Sequence, residues 1–162
     1  MYLHPKERPL PEKSPFNAIP IFGSRLEGVV YRYRPSAYAV VTNGAGEFAI
    51  ARTPVACYLL GGGMESGETP EQTIQREAKE ECGLVLRPSA VVGRAVEICY
   101  SAEDDSYFEK DSIFMASKVL ARVPPIDVDH ELTWLKLPLA MQALTHGSHR
   151  WALERFQELA CT

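Results

Sequence analysis

The sequence predicts an α/β fold, a mixed sheet packed by helices, and three observations carry that prediction. Short apolar or alternating runs fill the chain from Leu26 onward, one strongly capped helix interrupts them after Thr69, and a terminal helix follows the last run. The resulting order is several strands, a helix, more strands and closing helices, which is not the regular βαβ alternation of a wholly parallel sheet. With 162 residues, 46% hydrophobic and 23% charged, the chain has the length and composition of one globular domain.

Pro5, Pro9, Pro11, Pro15 and Pro20 crowd the start of the chain, and proline removes backbone donors and favours extended backbone. Residues 1–20 therefore read as a proline-rich arm, either a tail or a segment lying across a neighbouring subunit, ahead of a domain over residues 21–162. The runs LEGVVYRYR, SAYAVVT, EFAIAR and VACYLL then read as strands, with the glycine-containing NGAGE (Asn43 to Glu47) as a hairpin turn between the second and third. VVGRAVEICY and SIFMASKVLARV form another strand pair around the acidic stretch SAEDDSYFEKD, and ELTWLKL is the final strand. Two helical pieces close the chain, roughly Pro138 to Thr145 and a second from Ser148, with Gly147 ending the first and Ser148 capping the second.

The central helix is marked at both ends. Thr69 is an N-cap, Pro70 occupies the first helical position, Gln72 closes a capping box, and Gly83 supplies the stop after Cys82. At about 100° per residue, with Glu77 at zero, Glu81 falls near +40° and Glu80 near −60°, beside an apolar stripe of Ile74, Ala78 and Cys82. Like charges at i and i+4 cost a solvated helix only ~0.2 to 0.5 kcal/mol, but the cost grows beside a core. Arg76 can reach Glu80, yet one guanidinium cannot satisfy three carboxylates. A hard divalent cation, Mg²⁺ or Mn²⁺, suits such an oxygen-only set and also accepts phosphate oxygens. A solvated acidic face is the ordinary reading of three helical glutamates taken alone.

The spacing of the whole segment overrides that reading. Gly62, five residues, Glu68, seven residues, Arg76, Glu77, Ala78, one residue, Glu80, Glu81, one residue, Gly83 and Leu84 resembles, position by position, the signature box of the Nudix hydrolase family, including MutT. Only Ala78 departs, a larger aliphatic residue being common there. The resemblance implies an α/β/α sandwich with a mixed β-sheet and a Mg²⁺- or Mn²⁺-dependent hydrolase cleaving the diphosphate linkage of a nucleoside triphosphate, sugar nucleotide or dinucleoside polyphosphate. Carried onto this chain, it implies that Glu77, Glu80 and Glu81 hold metal, that the Gly62 backbone approaches metal or phosphates, and that Glu68 and Arg76 brace the helix. It leaves the general base open. Two other readings share the scaffold: a non-catalytic nucleotide sensor, which needs no triple-glutamate stripe, and a prenyl diphosphate isomerase, whose opposite-wall cysteine or acid pair the sequence does not mark.

Outside the box, Arg34 and Arg52 are candidates for gripping an anionic substrate, with solvated strand arginines the equal alternative. The glycines at 61 to 63, Gly62 and Gly63 above all, let backbone approach phosphate oxygens. Glu131 resembles acids that contact metal or substrate in the family, and Trp134 is either a core anchor or a stacking partner for a base. Glu97, Glu103, Asp104, Asp105, Glu109 and Asp111 form an acidic stretch that is either solvated or supplies a further ligand or base. His146 and His149 read as capping or packing residues rather than metal ligands.

Seventeen Lys and Arg against 21 Asp and Glu give a net charge of −4, with no basic run to follow duplex nucleic acid, so any grip on an anionic substrate must be local. Cys57, Cys82, Cys99 and Cys161 are scattered without a C-x-x-C pair and read as reduced thiols. No stretch approaches the ~20 apolar residues of a membrane span, and no secretory leader is visible at the start, so the expected location is cytoplasmic. Homodimers are common in the family.

Overall fold

A computed structural model describes residues 18–162 of the chain; the arm read over residues 1–20 lies almost wholly outside the described residues. Eight strands and three helices follow in the order β1 (Ile21–Phe22), β2 (Arg32–Val40), β3 (Phe48–Arg52), β4 (Cys57–Tyr58), β5 (Leu60–Gly63), α1 (Pro70–Cys82), β6 (Leu84–Ser101), β7 (Ser106–Arg122), β8 (Glu131–Leu135), α2 (Leu137–Ala143) and α3 (Gly147–Ala160). The central sheet has the order β1-β6-β7-β2-β5 and is mixed, because β1 runs parallel to β6 and β2 parallel to β7 while the other neighbours are antiparallel. A second sheet, β4-β3-β8, is antiparallel.

Alternation along the strands divides the core in two. Ala37, Ala39 and Val41 of the β2 region join Leu60, Leu84, Leu86 and Met115 beneath Ile74, Ala78 and Cys82 of α1. Tyr38 and Val40 point the other way, with Phe48, Ile50, Val92 and Phe114, and are covered by Ala140, Leu144, Ala152 and Leu153 of the α2–α3 region. Helix, sheet and helix thus form three layers, each face of the sheet closed by one stripe of apolar side chains. Ala78 is fully buried under α1. The short side chain at the one position that departs from the family pattern is therefore a packing choice.

Helix α1 matches its sequence signals at both ends. Thr69 accepts from the Gln72 N–H while the Gln72 side chain accepts from the Thr69 N–H, and Gly83 takes a left-handed conformation at φ 64°.

Several boundaries differ from expectation for identifiable reasons. LEGVVYRYR and SAYAVVT are expected as two strands, but the strand they form is the single β2, which runs through Pro35. The proline is tolerated because β5 pairs only from Ser36 onward, and its carbonyl still accepts from Met64 N–H. NGAGE does turn the chain, with Asn43 Oδ1 accepting from the Ala45 and Glu47 N–H groups, yet only a Thr42–Phe48 bridge follows, and β3 leaves for the second sheet. The β6–β7 hairpin is much longer than the two apolar runs that predicted it, and register shifts beside Pro88 and Gly93 bend it. Gly147 does not end α2, whose cap is Leu144, and Ser148 does not cap α3. The cap comes from afar: Glu97 of β6 accepts the Ser148 N–H at 2.8 Å.

Candidate active site

The box segment folds as strand β5, a loop, and α1, and Arg76 stands at its centre. Its Nε and Nη2 donate to the two oxygens of Glu68 at 2.7 and 3.0 Å, Nη1 donates to Glu77 Oε1 at 2.8 Å, and Nη2 also reaches the Gly63 carbonyl at 3.2 Å. Glu80 is only 3.6 Å from Nη1. Glu68 in turn accepts from Thr73 Oγ1 and from the Glu65 N–H, which pins the loop to the helix. Those donors, Arg76 first, hold the Glu68 carboxyl down at about 2 and leave it ionised.

The other carboxylates are under opposite pressure. Burial raises Glu77 above its ordinary value, and burial together with the neighbouring Glu77 charge lifts Glu81 to about 8. Two half-buried acids side by side require a positive charge, and Arg76 reaches only one of them closely. Glu77 presses against the backbone of Gly62, where a Cβ would sit 2.8 Å from its Oε1, so glycine is needed for the carboxylate to lie there. Among the described residues no three His, Cys, Asp or Glu side chains converge closely enough to cage an ion. The chemistry of the donors is that of a hard divalent cation: the Glu77, Glu80 and Glu81 side chains offer carboxylate oxygens, and no thiolate or imidazole ligand stands among them.

A cavity of about 250 Å³ opens beside these groups. Gly61, Gly62, Gly63 and Glu81 form one side, and Arg34, Tyr58, Lys110 and the hairpin tip with Glu103 and Asp104 form another. Arg34 lies over Gly63, its guanidinium resting 5.3 Å from the Phe108 ring centre and 3.7 Å from Asp104. Of the acidic stretch, only Glu103 and Asp104 reach this cavity; Asp111 is held by Arg94 and Tyr33, and Glu97 is buried.

Arg52, Glu131 and Trp134 do not line the cavity. Antiparallel register places Arg52 opposite Glu131 on β3 and β8, both exposed, and Trp134 packs on the α1-side core with Arg122 over its ring. The parity of β8 decides this. Six cavity residues are not marked as candidates by the sequence: Tyr38, Ala51, Tyr58, Ser101, Lys110 and His130. His130 Nδ1 lies 2.8 Å from Asp127 Oδ2, and its Nε2 faces Glu81 at 3.5 Å. The Ile126 and Asp127 N–H groups bond the Glu80 carbonyl and dock that loop on the end of α1. The immediate neighbourhood DHELTWL carried the signal, one residue before Glu131.

His146 and His149 are buried on the α3 face, and burial keeps both imidazoles neutral, His149 Nδ1 accepting from the Leu59 N–H. They pack, as expected.

The NUDIX domain model matches residues 32–154, most of the chain and all of the site just described. The chain belongs to the Nudix family. Membership makes it a Nudix-type pyrophosphohydrolase acting on nucleotide derivatives, and enzymes of this family generally use divalent metal ions. The MutT protein of Methanosarcina mazei Go1 is 24% identical, with a TM-score of 0.64 over 85% of this chain and 100% of that one. A NUDIX hydrolase from Nitrosomonas europaea is 15% identical, with a TM-score of 0.63 over 78% and 90%. The E. coli dihydroneopterin triphosphate pyrophosphohydrolase is 22% identical, with a TM-score of 0.55 over 78% and 97%. At these identities the likeness is one of fold. No curated protein matches the sequence. No helix among the described residues is long and apolar enough to cross a membrane.

Proposed function

We propose that this Nudix enzyme hydrolyses the diphosphate linkage of a nucleoside diphosphate derivative, with Mg²⁺ or Mn²⁺ held by Glu77, Glu80 and Glu81 against the Gly62 backbone. The observation that carries the reading is the crowding of three α1 carboxylates around one guanidinium, with Glu81 lining a cavity that Arg34 and Lys110 enter from the sheet. A divalent cation bound there would neutralise phosphate oxygens and lower the pKa of the attacking water.

Each residue has a part of its own. Arg76 fixes the Glu77 rotamer and ties it to Glu68, so the carboxylates meet a ligand already oriented. The side-chain-free Gly62 and Gly63 make room for the Glu77 carboxylate and the Arg34 guanidinium, which would meet the metal and the substrate. Arg34, braced on Phe108, is placed to take an anionic oxygen of the substrate. The compact glycine-lined floor favours a linked pair of phosphoryl groups over a lone phosphate monoester.

The test is bond position. Hydrolysis of nucleoside triphosphates, sugar nucleotides and dinucleoside polyphosphates in ¹⁸O-labelled water should place one label on a phosphoryl product, and exhaustive chelation should abolish turnover. Faster hydrolysis of a nucleoside monophosphate than of every diphosphate-containing compound would overturn the assignment.

A further inference from the structure

One row of side chains crosses three strands of the central sheet beside the cavity. Arg34 on β2, Lys110 on β7 and Glu97 on β6 are register partners and share a face. Arg34 and Lys110 are like charges directly opposite one another, an arrangement that destabilises a strand pair unless something compensates. Glu97 would be the natural compensation. It is turned away instead, one oxygen accepting from the Ser148 N–H and the other 3.7 Å from His146 Nδ1.

Lys110 is consequently left without a carboxylate within 4.0 Å and without a hydrogen bond among the described residues, although it is half-buried in the cavity wall. Arg34 has only the 3.7 Å approach to Asp104, on an exposed hairpin tip, and such a bridge is worth little. An entering anion can displace it. The cavity, at about 250 Å³, is smaller than the ~300 to 1,000 Å³ typical of pockets that enclose a drug-sized, largely apolar ligand. Its cations, Arg34 and Lys110, stand across from the Gly61–Gly63 backbone, while Glu81, Glu103 and Asp104 are its acids.

We propose that Arg34 and Lys110 form an anion subsite for a phosphoryl group beyond the pair at the carboxylates, so that the enzyme selects substrates by phosphate-chain length rather than by base. The subsite rests on the pyrophosphohydrolase reading for its biological use, but it binds by its own charge. Lys110 supplies a compact ammonium with free donors, and Arg34 a planar fork held by the Phe108 ring. Gly63 makes room for that fork, since a Cβ there would fall 2.5 Å from Arg34 Nε.

Calorimetric titration of inorganic tripolyphosphate and of pyrophosphate into the full chain, with Mg²⁺ and again with chelator, separates the subsite from catalysis. The wild type should bind tripolyphosphate more tightly than pyrophosphate. Lys110→Met should weaken tripolyphosphate by roughly tenfold to a hundredfold, the effect of one charge-assisted contact, with a much smaller loss for pyrophosphate, and Lys110→Arg should recover most of it. In turnover, kcat/KM should vary less among four bases at one phosphate number than between nucleoside di- and triphosphates of one base. Equal wild-type affinity for the two inorganic ligands overturns the proposal without reference to any variant, as does an equal loss for both on Lys110→Met. Binding that follows the expected pattern in a chain that hydrolyses no diphosphate would leave the subsite standing and sink the catalytic reading instead.

Discussion

On the α1 face of the central sheet, Arg76 ties together Glu68 and Glu77, eight residues and one residue away in the chain. On the α3 face, Glu97 reaches an N–H fifty-one residues away and stands beside His146. Both clusters join a helix to the rest of the fold with a carboxylate, but they differ in charge balance. Around Arg76 the carboxylates of Glu68, Glu77, Glu80 and Glu81 outnumber the single guanidinium, and Glu81 lines a cavity. Around Glu97 one carboxylate meets a helix N-terminus and neutral imidazoles, and the cluster is closed off from solvent. A crowd of carboxylates beside a cavity marks chemistry; a single buried carboxylate spent on a helix N-terminus marks architecture.

The comparison breaks most easily at the helix. Glu80→Gln and Glu81→Gln should each lower kcat by ~10²-fold or more with the fold intact, as loss of a metal-ligand or proton-transfer group does. Near-normal turnover with unchanged metal dependence, read in a steady-state assay across Mg²⁺ concentrations, would move the α1 cluster into the architectural class.

The α3 cluster should respond in the opposite manner. Glu97→Ala leaves the Ser148 N–H buried without an acceptor, at a cost of about 1 to 3 kcal/mol. At roughly 2 to 4 °C per kcal/mol for a chain of this size, the melting temperature should fall by several degrees while kcat changes little. A large fall in kcat at unchanged melting temperature would erase the distinction.

Titration sharpens the contrast within the α1 cluster itself. Glu81 is raised from 4.5 to about 8, so its contribution to stability is fully present below pH 4.5 and is lost as pH rises through 8. Glu68 is lowered from 4.5 to about 2, so its contribution is present above pH 4.5 and is lost as pH falls toward 2. The metal-free protein should therefore melt at lower temperature at pH 9 than at pH 5, and again below pH 4.5. Scanning calorimetry on Glu81→Gln should show the alkaline fall flattened and the acid fall retained.

The smallest effect is expected outside both clusters. Arg52 and Glu131 form an exposed cross-strand pair, and Arg52→Ala should change stability by no more than ~0.5 kcal/mol and leave kcat/KM near the wild-type value. A tenfold loss of kcat/KM would return Arg52 to the substrate site.

How much of this was legible in the sequence follows from how the parts are connected. Helix α1, its caps and its carboxylate stripe could be read in advance because a helix fixes its geometry locally: a Thr–Pro–Gln start, a glycine stop and a 100° step specify every side-chain direction within thirteen residues. The strands were legible as apolar runs, but their ends were not, since β2 continues through Pro35 and the β6–β7 hairpin extends as far as its partners allow. Ser148 looked like a cap on local grounds and was displaced by a carboxylate from another strand.

The sequence by itself determined where the negative charge gathers and that it must be compensated, because five residues at helical and loop spacing fix that within one segment. It determined the fold class through the period of its apolar residues. Only the tertiary structure decided what stands across the cavity. Sheet pairing sets Arg34 beside Lys110, the register of β8 turns Arg52 and Glu131 outward, and the loop docked on the Glu80 carbonyl brings His130 to Glu81. Strand parity and partner are collective properties of the packed sheet. A shift of one residue reverses every side chain, and no local spacing encodes that choice.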